Sequence, residues 1–446
     1  MNLRVIFLAL CIPLTYSITG PGLSAEQEAW LDSVRYANVS TKWPTLGKEQ
    51  LLELWTKVYI LSKVTSANFP YYETVQIWFN DTARSAVIRY DDVGDSASWT
   101  GLHLAALAHQ YNVTNNSTVL KEIDKSLDAV SLLSTCSGKP GYIVRFAGPA
   151  SDPAYKKYYP GYGNGAFNCT IPPYHDYIWL GFSSRDMYFG IAFGLANVLR
   201  MLHTDSAQSI IQRTKNITET IVDDLVKYDF WIISPKKQPT NPDPMFLATW
   251  KLLALTVNPV KYQHLLKTYK EYFWSAYYTE MTISTKTHNA YFGNELLVEG
   301  LYVLSTFEID VQRREALFNK FTVLAVNHSD HLQPGFAAFY LSAFPDTKYS
   351  NIPAGVLQGG LLDYPSTPWE HHVDQTNNPK YMPHHDSDHS ECALMIRDRP
   401  PDVYMWQREP TALKGGTSEC CLQNAHLDLT LPYWMGRSAG YIGTPN

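Results

Sequence analysis

Helix-length segments of two kinds alternate along this chain. Residues 99–111 contain no Asp, Glu, Lys or Arg, so a helix formed there must be covered on most of its sides. Residues 118–134 follow with apolar side chains at helical spacing on one face and charged side chains on the other. The same contrast returns at 187–203 and 206–227, at 244–257 and 260–278, and at 289–306 and 310–326. The sequence therefore predicts pairs in which a buried helix precedes a surface helix.

The number of pairs and the lengths of the loops predict how the pairs assemble. An earlier pair is expected at 25–38 and 49–63, and a sixth is expected to begin at 333–343 and continue into the C-terminal region. Each pair can bury its apolar face only against its neighbours, so we expect an all-α (α/α)6 toroid with inner and outer helices joined by long loops. An open helical solenoid is the alternative, but its repeats have similar lengths, and these loops are unequal.

The first 20 residues resemble a secretory signal peptide. Arg4 supplies a positive start, residues 5–14 are apolar, and residues 17–20 include small side chains suited to cleavage. The apolar run is shorter than the about 20 residues that cross a bilayer, and no later segment is apolar for long enough. We therefore expect a secreted, extracellular protein with no membrane anchor. The toroid should be one domain over 21–446, with short hairpins in loops such as 140–182.

Asn-x-Ser/Thr sequons and the net charge bear on the partners of this protein. The net charge of −6 matches nucleic acid poorly, because phosphates favour a basic surface. The sequons are typical of a secreted glycoprotein and predict asparagines that face solvent, away from an active cleft. There are eight of them, at Asn38, Asn80, Asn112, Asn115, Asn116, Asn168, Asn216 and Asn327.

Five cysteines follow the predicted signal peptide. Disulfides are expected in an oxidising compartment. We expect Cys136 to pair with Cys169, and Cys392 to pair with Cys420 or Cys421, which leaves one cysteine over. The sequence has no CxxC pair, so a zinc ribbon is not predicted.

The loops before the buried helices are the expected location of a functional site. In a ring, the loops at one mouth converge on the axis, and helix N-termini favour carboxylates and anions. Asp95 precedes the second buried helix, with Trp99 one turn further on, and Arg185 and Asp186 open the third, just before Tyr188. These residues are candidates for a cleft. The alternatives are an N-cap for Asp95 and a structural ion pair for Arg185 with Asp186.

Further candidates lie in other loops and at the start of the fifth buried helix. His288 and Glu295 belong to a polar run there, and such a run is costly unless it faces solvent or a site. Arg145 lies in the loop after the second pair, where a guanidinium could bind a carboxylate or sulfate or form a structural salt bridge. Trp406 is a candidate platform for a sugar ring.

A metal or cofactor is not predicted. Five of the fourteen histidines lie between 371 and 389 among several carboxylates, a combination that suits zinc. Their spacing matches no familiar site, and an exposed His-rich loop is the alternative. The chain also lacks a Walker loop, a dinucleotide fingerprint and a GxSxG elbow.

Three short motifs, together with the helical pairing, resemble the six-hairpin glycosidase-like superfamily, and in particular secreted members without a settled activity. The motifs are GDSASWTGLHLA at 94–105, SRDMYFG at 184–190 and LPYWMGR at 431–437. The resemblance covers roughly residues 25–440. It implies an (α/α)6 toroid, on which most enzymes act on carbohydrates, and it carries no catalytic role over to this chain.

The leading hypothesis is a secreted glycoside hydrolase-like enzyme that acts on a glycan. Such chemistry needs two carboxyl groups across a cleft, one to protonate the leaving oxygen and one to activate water or attack the sugar. Glu295 is the expected acid, and Asp95 or Asp186 is its expected partner. The residues expected to hold an acidic group or to stack on sugars are Arg145, Arg185, Trp99, Tyr188 and Trp406.

Two other hypotheses remain open. A uronic-acid lyase or epimerase would use Tyr188 or His288 for proton transfer, with Arg145 neutralising the substrate carboxylate. A non-catalytic glycan-binding or structural protein on the same scaffold would lack two carboxyl groups within reach of one another. A zinc site within 371–389 is a weaker idea.

Overall fold

The fold is described from a computed structural model of the chain. The structure describes residues 21–35, 42–66, 69–91, 93–156, 165–234, 238–280, 288–367, 369–381, 388–401, 408–417 and 421–445. Most of this part of the chain is helical, and its strands are few and short. The predicted all-α class is therefore right in its coarse form. In the described part, no helix is both long enough and apolar enough to cross a bilayer.

The helices include the predicted buried and surface segments. They are α1 (Ala25–Arg35), α2 (Lys48–Ser66), α3 (Ser96–Thr114), α4 (Ser117–Leu133), α5 (Pro153–Lys156), α6 (Arg185–Met201), α7 (Gln208–Lys227), α8 (Pro244–Val257), α9 (Leu266–Thr279), α10 (His288–Phe307), α11 (Val311–Asn327), α12 (Pro334–Ala343), α13 (Asn351–Asp363) and α14 (Leu427–Ser438). The pairs predicted between 99 and 326 are α3–α4, α6–α7, α8–α9 and α10–α11.

The burial pattern follows from charge. Nearly every residue of α3, α6 and α8 is buried, whereas α4 and α7 bury one face and expose the other. Segments without ionisable side chains can be covered on all sides without desolvating charge, and the amphipathic helices cover them. The predicted contrast between buried and surface helices is confirmed for these pairs.

The buried helices pack against one another in a consistent order. α3 contacts α6, α6 contacts α8 and α10, and α8 contacts α10. α10 contacts α12, α12 contacts α14, and α14 contacts α3. Further helices pack against this set, as α4 does on α3, α9 on α8 and α13 on α12.

Helices from the two ends of the chain meet, which the sequence did not predict. We expected 25–38 and 49–63 to form a buried helix followed by a surface helix. Instead α14 is the buried helix that lies between α3 and α12, and α2 packs against α13 and α14. The N-terminal helix α1 also contacts α13. The sixth set of helices therefore combines segments from both termini.

Glycines bring α3 and α6 into backbone contact. A Cβ atom on Gly101 would lie 1.9 Å from the carbonyl oxygen of Gly190, and one on Gly194 would lie 2.4 Å from the carbonyl oxygen of Gly101. Only glycine permits an approach this close. Asp95 and Asp186 stand at the starts of these two helices, so the same contact holds the two carboxyl groups near each other.

Within the described residues, three small antiparallel sheets lie in the loops. β1 (Gln76–Phe79) pairs with β2 (Val87–Asp91) and with β8 (Leu422–Gln423), and β5 (Tyr177–Leu180) lies between β3 (Phe146–Pro149) and β4 (Ala166–Asn168). β6 (Val373–Asp374) pairs with β7 (Lys414–Gly415). The second of these sheets falls within 140–182, where short hairpins were predicted.

The cysteines are in part where the pairing predictions need them. Cys136 and Cys169 are buried free thiols, and a side-chain hydrogen bond joins them. Their adjacency is what the predicted disulfide requires, and the disulfide itself stays a prediction. Cys392 is also a free thiol, so the predicted bond from Cys392 to Cys420 or Cys421 is not formed in the structure. Cys420 lies outside the described residues.

Candidate functional site

Carboxyl groups from four helices lie close together, at the starts of three helices and near the middle of the fourth. Asp95 immediately precedes α3, and Asp186 lies in the first turn of α6. Asp428 lies in the first turn of α14, and Glu295 and Glu299 follow on successive turns of α10. We refer to these five residues as the acidic cluster. Helix N-termini favour negative charge, so the starts of α3, α6 and α14 are suitable locations for the three aspartates of the cluster.

Electrostatic coupling shows that the members of the acidic cluster are near neighbours. Burial raises the pKa of Glu295 well above its usual range, and the charges of Glu299 and then Asp428 raise it further. Asp95 and Asp186 also contribute to this shift. Charges separated by large distances would not perturb one another in this way. The three predicted catalytic carboxyl groups are thus brought together by the fold.

Glu295 and Glu299 are enclosed and lack ordinary partners. Glu295 is 2% exposed and Glu299 is 0% exposed. Among the described residues, neither oxygen of Glu299 has a hydrogen-bond partner, and Oε1 of Glu295 has none either. Burial, followed by the charge of Asp186, raises the pKa of Glu299 well above its usual range. The enclosure of both side chains therefore favours their protonated forms, since an unpaired buried carboxylate is strongly disfavoured.

Asp95 occupies the N-cap position of α3, but its side chain does not cap the first turn of that helix. Its Oδ1 atom lies 3.3 Å from Nη1 of Arg145. Burial and then the charge of Asp186 raise the pKa of Asp95 to about 6, whereas Arg145 lowers it. Asp95 is consequently ionised at pH 7, unlike Glu295. Two carboxyl groups in different protonation states are the arrangement that acid–base chemistry requires.

Arg145 holds the loops around Asp95 rather than presenting its guanidinium to a ligand. Its Nη1 atom donates to the carbonyl oxygen of Gly94 at 2.5 Å, and Nε donates to that of Phe182 at 3.1 Å. Nη2 donates to the hydroxyl of Ser184 at 2.7 Å. The predicted role of Arg145 in binding an acidic group of the substrate is therefore replaced by a structural one.

Arg185 pairs with a carboxylate that the sequence did not suggest. Its partner is Asp243, which also caps α8 by accepting a hydrogen bond from the backbone N–H of Phe246 at 2.7 Å. Glu280 accepts from the N–H of Met245, and burial followed by the charge of Asp243 raises the pKa of Glu280 to about 7. Arg185 keeps an exposed guanidinium beside these two acids.

Two predicted sugar-stacking residues belong to the core. Trp99 is buried on α3, and Tyr188 is fully buried on α6, where it packs against Phe246 and Trp250. The hydroxyl of Tyr188 accepts a hydrogen bond from the backbone N–H of Ile143. Neither ring offers a face to a sugar, so both predictions are wrong. The side chain of His288, like Trp406, lies outside the described residues.

Glu299 and Asp428 were missed in the sequence. Glu299 follows Glu295 by four residues within a helix that is otherwise almost uncharged, and this spacing places both side chains on one face. Glu299 could have been predicted as a neighbour of Glu295 from that spacing. Asp428 lies just before the 431–437 motif, but α14 was not predicted as a separate buried helix. Because that helix was not predicted, Asp428 was not expected at the start of a buried helix.

The His-rich stretch has a different character from the acidic cluster. His371 and His372 are exposed, and His389 lies 3.4 Å from Oε2 of Glu409. Residues 382–387 lie outside the described part of the chain. The exposed side chains agree with the alternative of a solvated loop.

A cavity of about 490 Å³ lies away from the acidic cluster. It is bounded by α2, α3, α4 and α14, and none of the five carboxyl groups of the cluster lines it. Trp55 and Tyr59 line its rim with stacked rings whose centroids are 5.2 Å apart. Trp434 is buried and forms part of its wall.

Comparison with known proteins does not identify the chain. No protein-family model matches the sequence, and a search of curated proteins gives no match either. The geometry and chemistry of the acidic cluster are therefore the basis on which a function can be proposed.

Proposed function

We propose that this protein is a secreted, glycoside hydrolase-like enzyme built on a closed (α/α)6 toroid. Contacts that pass from α3 through α6, α8, α10, α12 and α14 and return to α3 support the closed inner ring. An open solenoid would leave its first and last repeats apart. The acidic cluster would then lie at one mouth of the ring, where the N-terminal ends of α3, α6 and α14 converge.

The observation that carries the proposal is the pairing of a neutral acid with an ionised one across separate helices. Burial among other carboxyl groups raises the pKa of Glu295 well above its usual range, and this preference for the protonated form suits a general acid for a glycosidic oxygen. Asp95 or Asp186 is the partner that activates water or attacks the sugar carbon. Asp95 is ionised above about pH 6 and is held by Arg145.

Solvent exposure of the sequons supports secretion as a glycoprotein. The asparagines whose exposure is described are all exposed, as a site of glycan attachment requires, and they are Asn80, Asn112, Asn115, Asn116, Asn168 and Asn216. Asn38 and the side chain of Asn327 lie outside the described residues.

One observation favours the non-catalytic candidate. Glu295 and Glu299 are enclosed, and a sugar can reach them only if the covering loops separate. The lyase or epimerase candidate is weakened, because Tyr188 is buried in the core and Arg145 is bonded to the protein.

Replacement of Glu295 by Gln tests the proposal. The secreted protein should first be screened against a glycan library, and the Glu295→Gln variant should then be compared with it on the active substrate. We expect turnover to fall by about 100-fold or more, because loss of a general acid costs at least that much. Folding should persist, since the amide has the shape of the neutral acid.

A matched control is Glu315→Gln, which changes an exposed glutamate on α11 and should leave turnover unchanged. Equal turnover in the Glu295→Gln variant and the unmodified protein would contradict the assignment of the acid. Appearance of an unsaturated product would instead favour a lyase.

A further inference from the structure

The turn between α11 and α12 brings two imidazoles and a carboxylate together. His328, Asp330 and His331 each offer one ligand atom, and these atoms all lie within 4.8 Å of one another. The rings of His328 and His331 have centroids 5.0 Å apart. Nε2 of His331 is 3.9 Å from Oδ1 of Asp330, a gap too long for a hydrogen bond. Oδ1 of Asp330 is buried and has no hydrogen-bond partner among the described residues.

We propose that His328, Asp330 and His331 bind one Zn²⁺ ion. Two neutral imidazoles and a carboxylate are a ligand set that zinc accepts with three protein ligands and an open fourth position. Tetrahedral zinc places such ligand atoms roughly 3.4 Å apart. Small rotations of His328 and Asp330, both only partly buried, would close the present separations to that value.

The backbone of this turn is held in place without the ion. His331 ends a short 3-10 helix, and Leu332 follows with a left-handed φ of 50°. Nη2 of the buried Arg399 donates to the carbonyl oxygens of His331 and Leu332, at 2.8 and 3.2 Å. A preformed backbone limits the ordering that metal binding must impose, which favours affinity.

Tyr291 supplies the outer partner that a metal-bound histidine requires. Its hydroxyl lies 3.4 Å from Nδ1 of His331, so Nδ1–H can donate to it while Nε2 faces Asp330. Second partners of this kind fix the tautomer and the ring orientation of metal ligands. Tyr291 is one turn before Glu295 on α10, and Pro334 begins α12 three residues after His331. The ion would thus tie the starts of α10 and α12.

Zinc titration of the full-length protein by calorimetry tests the proposal. We expect one Zn²⁺ per chain, and we expect His328→Ala and Asp330→Asn each to weaken binding by about tenfold or more. Tyr291→Phe should weaken it as well, because Nδ1 of His331 loses its partner. The matched control is the double variant His371→Ala, His372→Ala, which removes exposed histidines of the 371–389 stretch and should bind zinc as the unmodified protein does.

Cobalt provides a second measurement that needs no variant. Co²⁺ bound by two imidazoles, a carboxylate and water should give the intense visible absorption of a four-coordinate site, and zinc should displace it. The inference is overturned if cobalt shows only its six-coordinate spectrum, or if His328→Ala and Asp330→Asn bind zinc with unchanged affinity. It is also overturned if the His371, His372 double variant is the one that loses binding.

Discussion

Replacing Gly101 with alanine is expected to destabilise the protein by about 3 kcal/mol, at the upper end of the usual cost of overpacking. The new Cβ atom would lie 1.9 Å from the carbonyl oxygen of Gly190 and 2.7 Å from the backbone nitrogen of Ile191. Both contacts are with backbone, so no side-chain rotation can relieve them, and α3 and α6 must move apart. Denaturant unfolding monitored by circular dichroism would measure the loss.

Gly293→Ala is the matched control, because it makes the same chemical change within a helix. No described atom lies within 4 Å of a Cβ at Gly293, in α10. Alanine is the better helix former by about 1 kcal/mol, so this variant should be slightly more stable than the unmodified protein. If Gly101→Ala were as stable as Gly293→Ala, the close approach of α3 and α6 would be wrong, and with it the proximity of Asp95 and Asp186.

Charge patterning made most of the helices readable from the sequence. Segment 244–257 has Lys251 as its single ionisable residue, and it forms α8 within the same bounds. The charge pattern predicts burial because burying an ionisable group is costly, so a helix with almost no such groups is expected to lie in the interior. The alternation of such helices with amphipathic ones then identifies which elements are covered and which cover them.

Pairing between distant segments was not readable in the same way. The contact of α2 with α14 joins segments more than 350 residues apart, and neither segment has a sequence pattern that identifies the other as its packing partner. Likewise, Trp99 and Tyr188 were assigned to a cleft because they follow Asp95 and Asp186. Tyr188 follows Asp186 by two residues, about 200° around the helix, so its side chain points away from that carboxyl group and into the core, whereas Trp99 is buried one turn further along α3 than Asp95.

The pKa direction of a candidate acid also depends on neighbours that are remote in sequence. Glu295 is neutral because α10 is buried and because acids on α3, α6 and α14 approach it. The sequence showed an acid in an apolar helix, which suggests a raised pKa in general terms. The sequence predicted Glu295 as the proton donor, but the physical reason for its difference from Asp95 needed the three-dimensional arrangement, in which Arg145 pairs with Asp95.

Glu299→Gln is expected to stabilise the protein at neutral and alkaline pH. The folded state keeps Glu299 protonated, whereas the unfolded state releases the proton above the ordinary glutamate pKa of 4.5. Ionisation therefore stabilises the unfolded state of the unmodified protein relative to its folded state by about 1.4 kcal/mol for each pH unit above 4.5, until the raised pKa of the folded state is reached. Glutamine does not titrate, so the variant escapes this loss, and its advantage should grow with pH and vanish below pH 4.5.

Unfolding curves for both proteins at several pH values would measure this difference, with Glu315→Gln as a control that shows no such trend because its carboxyl group is exposed in both states. The opposite result, a Glu299→Gln variant less stable at pH 7, would mean that Glu299 is ionised and paired in the folded protein. The acidic cluster would then carry more negative charge than we infer. In that case Glu295, whose proton depends on the same enclosure, would no longer be the neutral acid that glycoside hydrolysis requires.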